Sequence, residues 1–421
     1  MIDVIRNSWA LLLGMLLLML GNGLQGSLLG VRGAEAGFSA PVMSMVMSGY
    51  FAGFLFASRM VPNMIRRVGH VRVFAALGSF VSAVLIMFPT FQDPIAWTLG
   101  RCVIGFCFCG VYVTAESWLN NAATNETRGQ TLSAYMIVQM MGIILAQGLL
   151  VVPDASGYLL FIIPSVLVSI SFAPILLSIT PTPAFEATKP MTLRELYDVS
   201  PLGMVGMFLL GGIFAAQFGM GAVYATQAGL ELGQISIFIA SFYVGAMLFQ
   251  YPLGRMSDRM DRRWLIMIVA GLGAGAAAIA TVMGGYFWAL CVSAFIIGGT
   301  SNPLYSLLIA YTNDFLNTDD MASASAGLLF VNGVGAITGP LVIGYAMQVV
   351  GPPGFFVLIM ALMAAISLYA LFRMTQRASP NVGDTSVYAP ISPSATPVAM
   401  DLAQEYAIEV AEEAENEEEQ T

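Results

Sequence analysis

Apolar residues fill this chain in runs of about 20 positions, the length a helix needs to cross the roughly 30 Å hydrocarbon layer of a bilayer. Short polar or Pro/Gly punctuation separates one run from the next. Twelve runs can be cut, at approximately residues 8–30, 41–61, 73–91, 96–119, 131–152, 158–179, 202–224, 234–253, 264–283, 286–311, 323–347 and 354–374. Barrel strands would be about half as long and would alternate apolar with polar positions. Lipid leaves open backbone groups without partners, so helices are the spanning structure these runs predict. The expected fold class is an all-α membrane protein with 12 transmembrane helices. The run beginning at Ser8 is too long for the h-region of a signal peptide and shows no small-residue cleavage site, so it is read as the first helix of a mature N-terminus.

The polar punctuation is lopsided. With the N-terminus inside, Arg6, Arg59, Arg66, Arg67, Arg72, Arg128, Lys189, Arg194, Arg255, Arg259, Arg262, Arg263, Arg373 and Arg377 all fall on the cytoplasmic side. Only Arg32 falls outside, and Arg101 lies within a span. This is the positive-inside pattern, and it predicts a multi-pass membrane protein with both termini cytoplasmic. Composition agrees, since 57% of residues are hydrophobic and 10% charged, against about 25% charged in a soluble domain. The net charge of −9 belongs to the tail: no base follows Arg377, ten acids do, and residues 1–377 carry +1. The longest internal connection separates two halves. The expected organisation is an N-terminal six-helix bundle at 1–180, a cytoplasmic linker at 181–201, a C-terminal six-helix bundle at 202–377, and a disordered acidic cytoplasmic tail at 378–421 carrying a short acidic helix near 400–419.

Several chemistries find no residues here. Cys102, Cys107, Cys109 and Cys291 sit inside apolar runs, as small hydrophobes rather than a disulfide framework. His70 is the only histidine and falls in a basic loop, so neither a His/Cys metal site nor a Ser/His/Asp set can be built. There is no Gly-x-x-x-x-Gly-Lys loop to hold a nucleotide. The Met43/Met47 and Met136/Met140 pairs have a spacing that suits Cu(I) but read as packing filler. The expectation is no enzymatic activity, no cofactor, no metal and no nucleic-acid partner.

Shifting the chain by 192 residues lays span 1 on span 7, Ser133-Ala134 on Ser325-Ala326 and Gln25 on Gln217, the mark of a duplicated unit. Between spans 8 and 9 the chain reads GRMSDRMDRR from Gly254 to Arg263. Gly254 suits a tight turn, and the Asp258 carboxylate can meet a neighbouring helix N-terminus or Arg259 and so latch one side of the molecule. A plain positive-inside loop would call for the arginines but not for that acid. The pattern resembles the loop signature of the major facilitator superfamily, with Asp261 where a glycine is usual. The related loop in the first half keeps Gly69 and its bases but has Arg66 where the acid would stand, which leaves Glu116 as the candidate partner. Arg101 and Gly105 in span 4, and Gly335, Gly339, Pro340 and Gly344 in span 11, are similar to further superfamily motifs for close packing and bending. Span 5 lacks the proline usual in drug/proton antiporters, and residues 115–136 resemble the poorly characterised bacterial YcaD-type branch.

The resemblance implies two pseudo-symmetric six-helix bundles around a central cavity. It further implies secondary transport of a small organic solute by alternating access, with protons as the candidate coupling ion and a monomer in the lipid bilayer as the working unit. A drug or metabolite exporter, or a nutrient sensor that kept the transporter fold, are the alternatives.

Ionisable groups at mid-helix in hydrocarbon cost roughly 2.5–3.5 kcal/mol unless paired or wet, which singles out Arg101 and Glu116. Arg101 shares a helical face with Gly105, Tyr112 and, less closely, Glu116. It reads either as a cavity-lining cation for an anionic group or as a structural arginine, bonded to carbonyls or snorkelling outward. Glu116, two residues from Trp118, which reads as an interface anchor, is taken for a snorkelling or loop-latching acid ahead of a proton carrier. Asn22 and Gln25 in span 1, with Gln217 and Tyr224 in span 7, are the neutral groups that the resemblance places on the cavity. Tyr243, Asn302, Tyr305 and Asn332 are further cavity candidates, followed by Tyr135 and Gln139. Gating or coupling falls to Glu116, Arg66, Gly254, Asp258, Arg259 and Arg262.

Overall fold

The computed structural model describes residues 2–123, 127–151, 157–177, 191–376 and 388–419. Six helices make the first half: α1 (Ile2–Glu35), α2 (Ala40–Val68), α3 (His70–Met87), α4 (Pro94–Ala122), α5 (Arg128–Leu149) and α6 (Leu159–Leu177). The short α7 (Leu193–Val199) leads into the second half. There α8 (Pro201–Ala215), a π-helical turn (Ala216–Met220) and α9 (Gly221–Gln227) run on as one span. It is followed by α10 (Leu232–Ser257), α11 (Arg262–Val282), α12 (Phe287–Asn313), α13 (Thr318–Val350) and α14 (Gly354–Met374), and α15 (Pro397–Glu419) closes the described chain. Eleven of the described spans are long and apolar enough to cross a membrane, and the slightly shorter α6 is the twelfth. The predicted linker lies partly outside the described residues. Its described end forms α7, started by a capping box in which Thr192 and Glu195 satisfy each other's backbone amides.

Glycine contacts organise each bundle. A Cβ at Gly53 of α2 would lie 1.9 Å from the Cys102 carbonyl oxygen of α4, and one at Gly105 would lie 1.9 Å from that of Tyr50. The second half repeats the arrangement. Gly245, 192 positions after Gly53, would put a Cβ 1.9 Å from the Phe295 carbonyl oxygen, and Gly298 would do the same to Phe242, between α10 and α12. Gly142 on Met19 (α5 on α1) is likewise matched by Gly335 on the Phe208 carbonyl (α13 on α8). Lipid supplies no hydrophobic gradient between helices, so backbone approach at small residues is a main source of association. The recurrence of these glycines 192 or 193 residues apart is the packing signature of two pseudo-symmetric six-helix bundles.

The two bundles meet unequally along their length. At the end away from the arginine-rich loops they touch directly. There a Cβ at Gly344 of α13 would sit 2.4 Å from Ser44 Oγ of α2, and one at Gly30 of α1 would sit 2.8 Å from the Ala222 Cβ of α9. Ser48 Oγ donates to the Ile337 carbonyl at 2.9 Å, and Ser236 Oγ donates to the Gln147 carbonyl. Toward the arginine-rich end α2 and α13 still touch, with Arg59 over the Phe330 ring, while residues 388–408 stand between α4 and α5 of one bundle and α12 and α13 of the other.

This differs from the disordered tail the sequence predicts, and the reason lies in how the acids are spread. Residues 377–387 fall outside the described residues. Residues 388–408 hold only Asp401 and Glu405, whereas seven of the ten tail acids follow in 409–419. The proximal part is rich in Ala, Pro and aliphatic residues, and Tyr388, Ile391, Val398, Met400 and Leu402 are all buried.

Candidate functional site

A cavity of about 150 Å³ lies between the bundles, lined by α1, α2, α4, α5, the π-helical turn, α10, α12 and α13, and floored by Ser392, Pro393 and Ser394. Its polar wall belongs to the first bundle. Arg101 Nη1 donates to Gln25 Oε1 at 2.8 Å, Gln25 Nε2 to Asn22 Oδ1 at 3.1 Å, and Asn22 Nδ2 to the Tyr112 hydroxyl at 2.9 Å. The Arg101 guanidinium stands over the Tyr50 ring, 4.7 Å from its centroid, a contact that gains strength when water is excluded. Arg101 is 3% exposed, which rules out snorkelling. No carboxylate pairs with it among the described residues, and its Nε has no hydrogen-bond partner.

The second bundle supplies an acceptor. Gln217 sits in the π-helical turn, a local insertion that re-aims side chains and is frequent at functional sites. Its Nε2 donates to Ser301 Oγ at 2.8 Å, while its buried Oε1 has no partner. Phe218, next in the same turn, stacks on Tyr243 at 5.3 Å. With Tyr50, Phe51 and Phe54 these rings make the remaining wall largely aromatic.

Nine cavity candidates therefore line one space: Asn22, Gln25, Arg101, Tyr112, Gln139, Gln217, Tyr243, Asn302 and Asn332. Two of these spend their amide NH2 on helix packing, Asn302 on the Gly298 carbonyl and Asn332 on the Met207 carbonyl. Tyr224 and Tyr305 are not on the cavity. Tyr224 is wedged between Phe355 and Phe356, each 4.9 Å away, and Tyr305 packs edge-on against Phe214. Sequence reading missed Tyr50 and the phenylalanines, because an aromatic in an apolar run carries no mark of the face it occupies. It also missed the tail residues, which no span pattern can place.

The gating candidates take unexpected partners. Glu116 is 1% exposed and accepts from the Tyr135 hydroxyl at 3.1 Å, from Thr396 N–H at 3.3 Å and from Thr396 Oγ1. Its partners thus come from α5 and the tail, not from Arg66, which is exposed and donates to Asn63 at 2.7 Å. Trp118 is buried on Phe74 rather than anchored at an interface, and His70 opens α3 in a buried position rather than sitting in a loop. Gly254 is helical, not a turn. Its missing side chain makes room for the Tyr388 ring, which would lie 2.8 Å from a Cβ there. Asp258 caps α10 and accepts the Tyr388 N–H at 3.0 Å, with Arg262 Nη2 3.7 Å away. Partial burial pushes its carboxyl above the usual carboxylate range, against the pull of Tyr388 N–H and Arg262. Arg262 itself is buried and held by Asp314, Ser257 and the Ala310 carbonyl. Arg259 is exposed.

Comparison with known proteins follows the same outline. The uncharacterized MFS-type transporter YcaD of Salmonella typhi is 25% identical over 380 residues, which cover 89% of this chain and 96% of that protein. Its counterpart in Salmonella newport is 25% identical over 373 residues, covering 87% and 95%. Among solved structures, a point mutant of the nucleoside transporter NupG superposes with a TM-score of 0.70 at 14% identity, over 87% of this chain and 99% of that one. A bacterial homolog of the human lysosomal transporter Spinster, inward-facing and unoccupied, gives 0.66 at 13% identity, over 96% and 98%. At such identities the likeness concerns the fold. The sequence model described as Major Facilitator Superfamily matches residues 11–239 and 202–400, one segment for each bundle with an overlap at their junction. A duplicated bundle whose halves both fit that model leaves no other assignment: this chain belongs to the major facilitator superfamily of multi-pass membrane transporters.

Proposed function

We propose that the protein is a secondary transporter of small organic anions with an apolar body, working by alternating access in a bacterial inner membrane. The carrying observation is Arg101, a buried cation on the cavity with no carboxylate among its partners and an Nε–H left without an acceptor. Such a charge is costly inside a membrane, and a solute carboxylate would relieve the cost with charge-assisted hydrogen bonds. The opposite wall supports the same reading. Gln217 Oε1 can accept from a hydroxyl or amine on the solute, and the Tyr50, Phe54, Phe218 and Tyr243 rings suit its apolar part. The arginine bias supports a cytoplasmic location for the arginine-rich end, and with it for both termini. Protons are the coupling ion of this reading. Glu116 is the acid found fully buried among the described residues, and it would carry the proton.

The test is a panel of labelled carboxylates, neutral analogues and amines, offered to right-side-out and everted vesicles with and without a proton gradient. Carboxylates should be moved in preference, and the vesicle orientation that accumulates them reads import against export. In purified protein, Arg101→Gln should weaken carboxylate binding roughly 10- to 150-fold, the worth of about 1.5–3 kcal/mol for a hydrogen bond to a charged group. Preferred transport of amines, or carboxylate binding indifferent to Arg101→Gln, would remove the proposal.

A further inference from the structure

We infer that residues 388–408 are a built-in plug, which occupies the arginine-rich mouth of the cavity and holds the two bundles apart there until it leaves. The inference does not depend on which solute the cavity takes.

The segment bonds to both bundles at once. On the first, Thr396 donates to Glu116, Ser394 Oγ donates to Gln139 Oε1 at 3.3 Å, and Glu405 meets Arg128 at 3.2 Å. On the second, Gln404 Nε2 donates to Ser325 Oγ at 2.6 Å and Asn313 Nδ2 donates to Gln404 Oε1 at 2.8 Å. Ser306 Oγ both accepts the Ile391 N–H at 2.9 Å and donates to the Ile391 carbonyl at 3.2 Å. These groups lie on α4, α5, α12 and α13, the walls of the mouth. Their polar atoms are satisfied by the segment, so its removal would leave buried donors and acceptors to find water or each other.

Its chemistry suits the place. Residues 388–396, with prolines at Pro390 and Pro393, enter as a non-helical stretch whose Ser392-Pro393-Ser394 tip reaches the solute cavity. The proline rings lower the ordering cost of such a segment. Beyond it the chain becomes α15, whose Val398, Met400 and Leu402 are buried while Glu405 stays exposed. A helix and a non-helical stretch of this bulk between the bundles block the approach of their arginine-rich ends, which the other half of an alternating-access cycle requires.

The test needs no solute. In a cysteine-free background, Met140→Cys places a thiol on the cavity at a 7% exposed position outside the Arg101 network. In nanodiscs a hydrophilic maleimide can approach from either face. Deletion of 388–421 should speed labelling at least tenfold, and an N-acetylated synthetic peptide of residues 388–419 added to the deleted protein should return it to the slow rate. Labelling at the same rate in both chains would overturn the inference. Fast labelling that the peptide does not slow would overturn it as well, since a chain merely unfolded by the deletion gives that result. A failed solute panel with peptide-sensitive labelling would count against the transport reading alone.

Discussion

The two ends of the bundle interface are built from different materials. At one end the helices touch through glycine and serine, with Gly344 on Ser44 and Gly30 on Ala222, and the seam needs nothing between the halves. At the arginine-rich end a separate piece of chain fills the gap and takes up the polar groups that line it, Glu116 from one half and Ser325 and Asn313 from the other. In the proposed alternating-access cycle a seam of small residues can open and close by rigid-body motion, because its surfaces are complete on both sides. A filled gap can close only after the filler leaves. On the proposals above, the difference would make one end a gate set by packing and the other a gate set by occupancy.

Overpacking the seam should produce the largest effect. Gly344→Leu pushes a side chain into Ser44, and overpacking costs about 1–3 kcal/mol, roughly a 5- to 150-fold loss of the closed arrangement. The readout is faster maleimide labelling of Ser236→Cys, a buried seam position. Unchanged labelling would mean that the seam is held elsewhere.

The filled end should respond to pH where the seam does not. Burial, with Glu405 close by, pushes the Asp401 carboxyl up to about 7. The docked segment therefore prefers a protonated Asp401, while the free segment ionises at about 4. Docking is at full strength below about pH 4 and weakens as pH rises toward 7. Arg128, which pairs with Glu405, is the nearby cation, and Glu116 and Asp258 meet other parts of the segment. Binding of the 388–419 peptide to the deleted chain should weaken about tenfold or more across that window. Asp401→Asn should flatten the dependence and strengthen binding at pH 7. A pH profile unaltered by Asp401→Asn would assign the titration to another group.

Asp258→Ala should have the smallest effect. Its carboxylate is partly exposed and holds the segment through one backbone N–H. Peptide affinity should fall roughly 2- to 10-fold, the worth of about 0.5–1.5 kcal/mol, and seam labelling should not move. A larger loss would show that Asp258 also shapes the α10–α11 turn.

The seam and the spans were legible in the sequence, and the plug was not. Lipid imposes a length on apolar runs, so all twelve spans could be cut from hydropathy alone, and the 192-residue register that pairs Gln25 with Gln217 also pairs Gly53 with Gly245. Orientation about each helix axis was harder. A span solvated by lipid on one side and protein on the other is apolar all round, so Tyr224 and Tyr305 could not be told from Tyr112 and Tyr243 by pattern. The π-helical turn that aims Gln217 leaves no trace in composition. The tail misled for a related reason. Its net charge is an average over a strongly acidic stretch at 409–419 and a nearly neutral, apolar stretch at 388–408, and it is the second that carries the buried residues.

The most direct measurement is a pair of spin-label distances in one protein, one across each end. Arg67→Cys with Arg259→Cys spans the arginine-rich end, and Asp93→Cys with Gly285→Cys spans the seam; all four positions are exposed, and each pair is related by the 192-residue register. In the full chain the seam pair should be short and the arginine-rich pair long, each with a narrow distribution. Deletion of 388–421 should add a second population in which the arginine-rich pair shortens and the seam pair lengthens together. Distances that stay fixed after the deletion, or two ends that open together, would contradict the account.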